Sequence, residues 1–459
     1  MWSAEFLAKA AVGRLHGAPA GAHFTSVSID TRTLEPGALY VALRGANFDG
    51  HRFIDAAIAR GARGIVAAAP ITTVPDGVAV IEVSDTLLAL QMMGHAARRQ
   101  FAGSVIAITG SNGKTTTRQL TASVLREHFG DTAVLATEGN YNNHIGVPLT
   151  LLRLRPSHRV AVIEMGMNHF GELGLLSSLA QPDIAVITNA APAHLEGVGS
   201  LSGVACAKGE VFAGVAREGV AIINGDDAFA SYWQAINRER RVVRFGFDDA
   251  ADVMARYSAS EGALELRRGW PQPFTAALPF AGEHNGRNAL AAATVGMVLG
   301  VPADAVVRGL GKATNIGGRL TRHTLTPTLC VIDDSYNANP ASMRAAVQVL
   351  LQEHGIRVLV IGDMAELGAH SDALHRALLA EIERTAVEHV FTLGPRMHAA
   401  AQSLAGRAVT HRDLDVLMDE LNRVLDGASP TATTVLVKGA HSMAMHRVAE
   451  RLAARVGVH

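Results

Sequence analysis

Five residues, Val105-Ile-Ala-Ile-Thr109, run directly into Gly110-Ser111-Asn112-Gly113-Lys114-Thr115-Thr116-Thr117, and a helical pattern follows to residue 129. This order constrains the fold more than anything else in the chain. A short β-branched run reads as a buried strand, the glycines as a tight turn, and the threonines as the opening of a helix. Backbone N–H groups of such a turn and of the helix start converge on one point and attract anionic oxygen. Lys114 adds a charge suited to terminal phosphates, and the Thr115 hydroxyl can ligate magnesium. The strict spacing G-x-x-x-x-G-K-[ST] is not met, because Ile108 stands where the first glycine would be. The loop is a shorter phosphate-binding variant.

A strand–turn–helix unit of this kind needs parallel neighbours. Residues 160–164, 184–188 and 220–224 are short, apolar and bounded by turn residues, and helical patterns at 171–180 and 201–216 separate them. Alternation of this type implies a mainly parallel sheet covered on both faces. A second alternating set begins after Asn315-Ile316-Gly317-Gly318-Arg319. Its strands are expected at 329–333, 357–361, 389–393 and 434–437, and its helices at 340–353, 373–385, 414–425 and 442–454. The first 84 or so residues hold shorter β-like pieces (26–29, 38–43, 64–67, 78–83) around a helix near 53–60, joined to the rest by a helix over 87–101. The expected domains are 1–85, 86–313 and 314–459, in keeping with 459 residues, too many for one core.

Composition excludes several classes. Lys and Arg number 41 against 42 Asp and Glu, and no long basic run occurs, so a nucleic-acid partner is not expected. No apolar run reaches membrane-spanning length, and the first residues lack a basic region followed by an apolar core. A cytoplasmic protein is expected. Cys206 and Cys330 fit no zinc spacing and read as two buried thiols in a reducing compartment.

Magnesium favours hard oxygen ligands beside phosphate. Glu164 ends the strand 160–164, and ends of parallel strands line the ligand crevice, so this carboxylate can reach a metal at Thr115. His194 follows the strand 184–188 on the same side, although a loop histidine by itself is as readily just solvated. Lys208, by spacing alone, is an amphipathic helical lysine.

In this order the pieces resemble the Mur ligases of peptidoglycan synthesis. Their fingerprint Thr-Gly-[Ser/Thr]-Asn-Gly-Lys-Thr-Thr stands here at residues 109–116. Further matching segments span nearly the whole chain: Asp30-Thr31-Arg32, Asn140-Tyr141-Asn142-Asn143-His144, Glu164-Met165-Gly166, Ala207-Lys208-Gly209-Glu210, His284-Asn285, Gly318-Arg319 and Val437-Lys438-Gly439. The runs Asp334-Ser335-Tyr336-Asn337-Ala338-Asn339-Pro340 and Gly362-Asp363-Met364-Ala365-Glu366-Leu367-Gly368 resemble the branch that adds D-alanyl-D-alanine.

The resemblance implies a small N-terminal α/β domain for a UDP-sugar, a central phosphate-loop ATPase domain and a C-terminal Rossmann-like α/β domain. It implies ATP and two magnesium ions, held by residues 110–116, Glu164, His194 and Lys208, with Lys208 carbamylated. Asn288 and Asn337 would lie near the adenine, Asp334 would hold the ribose, and Arg319 would reach the γ-phosphate. Ile29, Thr31, Ala46, Asn47 and Phe48 would bind UDP, and Asn142 and Asn143 would face substrate. The implied substrates are UDP-N-acetylmuramoyl-tripeptide and D-alanyl-D-alanine, joined through an acyl phosphate by a monomer. Relatives adding a diamino acid, or a folylpolyglutamate-type ligase, are the alternatives. The former usually carry Asp-Asn-Pro-Arg, absent here, and the latter generally lack the first domain. Family members commonly have Lys-Gly-Ser-Arg where this chain has Lys438-Gly439-Ala440-His441.

Overall fold

The computed structural model describes residues 2–45, 47–69, 71, 76–314, 317–402, 406–428 and 430–457. Three large sheets follow one another along the chain, beside two small two-stranded ones in the N-terminal region. The central one has nine strands in the order Val134–Ala136, Val160–Glu164, Ser104–Thr109, Ile184–Ile187, Val220–Asn224, Arg241–Gly246, Val253–Ser258, Ala263–Arg268 and Phe274–Ala277. The first seven are mutually parallel, and the last two pairings are antiparallel. Side chains alternate across a strand. Accordingly Ile106 and Ile108 join one buried cluster with the helices Lys114–Phe129 and Glu283–Val298, while Val105 and Ala107 join another with Glu172–Ala180 and Leu201–Gly209. Both faces are apolar because both are covered, as expected.

The C-terminal sheet has six strands: Thr321–Thr326, Leu329–Asp334, Thr433–Lys438, Ile356–Gly362, His389–Leu393 and Val409–His411. Only the first pair is antiparallel. Ile332, Leu359, Ile361 and Leu436 face one layer of helices, and Val331, Val358, Val360, Val435 and Val437 the other. This is the Rossmann-like arrangement.

The N-terminal sheet has five strands, Arg14–His16, Ala79–Glu82, Gly64–Ala67, Leu39–Val41 and Val27–Ser28. Its core does not stop at the sheet. Leu90, Met93 and Ala97 of the helix Thr86–Gln100 share one cluster with Leu39, Val41 and Ile81, and with Leu152, Ile145 and Leu149 from the central region. Gly94 lets that helix approach closely, since a Cβ there would lie 2.8 Å from Cα of Pro148. At its far end Arg98 donates to the carbonyls of Ala180 and Gln181, and His95 to that of Leu179. These carbonyls end the helix Glu172–Ala180, whose last turn has no intrahelical donors left.

Several expectations need correction. The helix expected over 201–216 ends at Gly209 and continues as a 3-10 turn, Glu210–Phe212. Here the Glu210 carboxylate turns to accept the N–H groups of Gly171 and Gly174, at the start of a neighbouring helix. The expected helix 442–454 is a 3-10 turn, His441–Met443, and a separate helix, His446–Arg455, split at Ala444 with φ 48°. Cys206 is exposed and Cys330 half-buried, because Cys206 sits on the outer side of its helix between buried Ala205 and Ala207. No helix among the described residues is long and apolar enough to cross a membrane.

Candidate active site

The strand Ser104–Thr109 delivers the glycine loop to the edge of the sheet, and each glycine has a steric reason. A Cβ on Gly110 would fall 1.8 Å from Oγ1 of Thr188, and one on Gly113, with φ 78°, 2.1 Å from Oδ1 of Asn288. The loop between them is held from the adjoining strand. Thr188 Oγ1 and Asn189 Nδ2 donate to the Asn112 carbonyl at 2.6 and 3.1 Å, Asn112 N donates to Asn189 Oδ1, and Ser111 Oγ donates to Ala191 O. The helix Lys114–Phe129 starts here with no side-chain cap, so its first N–H groups remain available to an anion. Lys114 is half-buried, and its Nζ donates to the Gly110 carbonyl at 2.8 Å. Burial lowers its proton affinity, opposed by Glu164.

Glu164 pairs in register with Ile108, which places its carboxylate beside the loop. It is 2 % exposed. Oε1 accepts from Asn142 Nδ2 at 2.8 Å and from Thr115 Oγ1 at 3.2 Å. Oε2 lies 3.3 Å from Nε of Arg118 but accepts no hydrogen bond. A buried carboxylate oxygen left without a donor, next to a threonine hydroxyl, fits a small hard cation. Among the described residues no group of three or more His, Cys, Asp and Glu gathers as a metal cage.

His194 takes a left-handed conformation, φ 55°, and its Nδ1 lies 2.6 Å from Oε2 of Glu366, itself at φ 60°. Burial lowers the proton affinity of His194 while Glu366 opposes it, and the contact holds the Glu366 carboxyl below its ordinary range. Lys208 is 1 % exposed. Burial, and then Lys114, push its proton affinity well down. The amphipathic reading from spacing alone is therefore corrected: the helix Leu201–Gly209 turns Lys208 inward with Val204 and Ala205.

The C-terminal domain closes the site. Arg319 Nη2 donates to Thr115 Oγ1 at 2.9 Å, with its guanidinium 4.1 Å over the Tyr336 ring. Asn339 Nδ2 donates to Asn112 Oδ1 at 2.7 Å. Lys438, 3 % exposed, donates to Asp334 Oδ2 at 2.6 Å and to the Asn337 carbonyl at 2.9 Å. Asn288 accepts from Thr117 and donates to Asn285.

Between the two domains lies a cavity of about 750 Å³. Of the expected residues, Ser111 to Thr116, Asn142, Asn143, Glu164, His194, Asn288, Arg319, Asp334 and Asn337 line it. Gly110 sits beneath the loop, and Lys208 is not on the wall. Ile29, Thr31, Asn47 and Phe48 lie apart, in the N-terminal region, where exposed Phe48 stacks on Phe53 at 5.4 Å. Ala46 lies outside the described residues. Glu366, Asn339, Tyr336, Lys438 and Arg118 had no role by sequence. All but Arg118 stand within quoted family runs, which was the one available signal.

Three family models match: the Mur ligase middle domain over residues 108–296, the Mur ligase glutamate ligase domain over 318–441, and the Mur ligase family catalytic domain over 23–98. The UDP-N-acetylmuramoyl-tripeptide–D-alanyl-D-alanine ligase of Escherichia coli K12 is 41 % identical, covering 95 % of this chain and 96 % of its own. That of Bacillus subtilis is 35 % identical over 93 % and 92 %. A crystal structure of MurF from Acinetobacter baumannii superposes with a TM-score of 0.91 at 34 % identity, covering 99 % of both chains. The Thermotoga maritima MurF ligase in complex with ADP gives 0.80 at 24 %, over 94 % and 97 %, a likeness of fold.

Proposed function

The chain belongs to the Mur ligase family, and we infer that it is an ATP-dependent ligase joining D-alanyl-D-alanine to the free carboxyl of UDP-N-acetylmuramoyl-tripeptide. One observation carries the reading: Lys114, Thr115 and Glu164 of the central domain meet Arg319 of the C-terminal domain around a single cavity.

A carboxylate does not acylate an amine at neutral pH, because its leaving group is poor. Transfer of the γ-phosphoryl group of ATP makes an acyl phosphate, which the dipeptide amine attacks. The tetrahedral intermediate then expels phosphate. Carboxylate, triphosphate and leaving ADP are all anionic, so preorganised positive charge is the main requirement. Loop N–H groups and Lys114 would face the terminal phosphates, and Arg319 would arrive with the C-terminal domain. Asn288 and Asn337 would contact the adenine, and Asp334, fixed by Lys438, the ribose. Glu164 and Thr115 would hold one magnesium ion and His194 with Lys208 a second. Bound magnesium supplies charge neutralisation at the phosphates. Asn142 and Asn143 line the same cavity and are assigned to the peptide substrate. Ile29, Thr31, Asn47 and Phe48 are assigned to the UDP end, with domains at 1–85, 86–313 and 314–459. We propose a monomer, and we place the protein in the cytoplasm.

For Lys208 we favour a carbamate. Burying a lysine ammonium is costly, and carbamylation needs the neutral amine that burial promotes. Lys208→Ala should lose activity and regain part of it with short carboxylic acids. Full activity without acids would remove the assignment. For the function itself the test is ADP release that requires both the UDP-tripeptide and D-alanyl-D-alanine. Release that is indifferent to the dipeptide, or that prefers a diamino acid, would overturn the reading.

A further inference from the structure

Asn339 uses both ends of its side-chain amide. Oδ1 accepts the N–H of Ser342 at 2.9 Å, while Ser342 Oγ accepts the N–H of Asn339 at 3.0 Å. This reciprocal pair caps the helix Pro340–Leu351. With Oδ1 committed, the NH2 end points away from the helix and donates to Asn112 Oδ1 at 2.7 Å. Asn339 is 8 % exposed, so water competes little for this contact. Asn112 is fixed in turn, because its backbone is tied to Thr188 and Asn189.

The connecting residues 335–339 carry a second cross-domain element. Tyr336 lies under the Arg319 guanidinium, and its N–H donates to the Gly318 carbonyl at 3.0 Å, next to Arg319 in the chain. Arg319 then bonds Thr115, three residues beyond Asn112. A closed circuit results: Asn112 to Asn339, along the connection to Tyr336, across to Arg319, and back to the loop at Thr115. The two contacts at its ends, Asn112 to Asn339 and Arg319 to Thr115, cross between the domains, and those of Tyr336 tie the two crossing points together within the C-terminal domain.

We propose that Asn339 is a positioning residue that couples the seating of the C-terminal domain to the phosphate loop, so that Arg319 reaches Thr115 only when Asn339 is docked on Asn112. The proposal rests on the phosphate-binding reading of that loop. It assigns Asn339 no contact with the reacting atoms. The residue acts by fixing the platform on which Arg319 lies.

Asn339→Ser separates the two tasks. Serine caps a helix as well as asparagine does, but its hydroxyl is too short to reach Asn112. Calorimetry with a non-hydrolysable ATP analogue and magnesium reads the effect without needing ligation. The melting temperature of Asn339→Ser should stay close to wild type, while the dissociation constant for the analogue rises about two- to tenfold, the range of one lost hydrogen bond. Asn112→Ala should weaken the analogue too, and the double variant should be no weaker than the worse single one, since both remove the same contact. Asn339→Ala, which also loses the cap, should melt lower. Wild-type affinity in Asn339→Ser, or losses in the two single variants that multiply in the double, would overturn the proposal. If instead wild type binds the analogue but releases no ADP in response to the dipeptide, the ligase reading fails while the binding comparison still decides the role of Asn339.

Discussion

Replacing Lys438 by methionine is expected to unfold the C-terminal domain at a much lower temperature, although Lys438 is remote from the protein surface and the shapes are similar. Its ammonium makes the 2.6 Å contact to Asp334 Oδ2, the 2.9 Å contact to the Asn337 carbonyl and a longer one, 3.4 Å, to the Asp334 carbonyl. Methionine fills the space and returns none of these. The side chain of Asp334 is 14 % exposed, so the orphaned carboxylate has little access to water. Removing one partner of a buried pair costs about 3–5 kcal/mol. For a folding unit of this size that corresponds to roughly 10 °C. The deficit should depend on pH. Burial holds the Asp334 carboxyl above its ordinary range, and Lys438 pulls the other way. A group raised in the folded state gives its full stability below the unfolded value, about 4, and loses it as pH rises through the folded one. Without Lys438 the upward push is unopposed, so Lys438→Met should lose more at pH 8 than at pH 5. Pairing it with Asp334→Asn should recover most of the loss. Thermal melts at the two pH values make the measurement. A Lys438→Met protein melting within 2 °C of wild type at pH 8, or a double variant no better than the single, would refute the reasoning.

Lys114→Ala should abolish ADP release while the melt stays near that of wild type, since only the hydrogen bond to the Gly110 carbonyl is lost; circular dichroism and a coupled ADP assay check both halves. Arg319→Ala should lower turnover by about a hundredfold or more yet leave UDP-tripeptide affinity nearly intact by calorimetry, because Arg319 lies far from Ile29, Thr31 and Phe48. His375 is buried with Nε2 accepting the Met364 N–H and Nδ1–H donating to the Ser371 carbonyl, and burial lowers its proton affinity. Its contribution is present above about pH 6.5 and is lost as pH falls, so the melting curve of His375→Gln should be flatter than that of wild type between pH 7 and 5. His194 and His284, the latter at about 4, contribute in the same direction, which makes the difference between the two curves the readout.

What could be read in advance was what local patterns encode. The phosphate loop needs a strand before it and a helix after it, all within residues 105–129, and Glu164 needs only a strand that ends in a carboxylate. The antiparallel edge, Val253–Ser258 to Phe274–Ala277, went unread. Its strands carry Arg256, Glu265, Arg267 and Arg268 among their apolar residues, so no continuous apolar run marks them. Burial of Lys208 was hidden for a different reason. A lysine on a nine-residue helix looks solvated until one knows which side faces the sheet. The contacts of Glu366 with His194, of Asn339 with Asn112 and of Lys438 with Asp334 span more than a hundred residues, and one-dimensional spacing holds no record of that.

The shared apolar cluster around Leu90, Met93 and Leu152 bears on recombination between relatives. A chimera that exchanges everything before residue 86 inherits one half of that cluster from each parent. Trp2 would also have to find its acceptor, the Leu152 carbonyl at 2.7 Å, in a foreign backbone. A crossover placed between the helix Ala303–Gly311 and Arg319 leaves that helix packed in the central apolar cluster, and the contacts it divides include polar ones such as Asn112 to Asn339 and Thr115 to Arg319. Viable hybrids should therefore exchange the C-terminal domain as a cassette and inherit the first two sheets together, as one block.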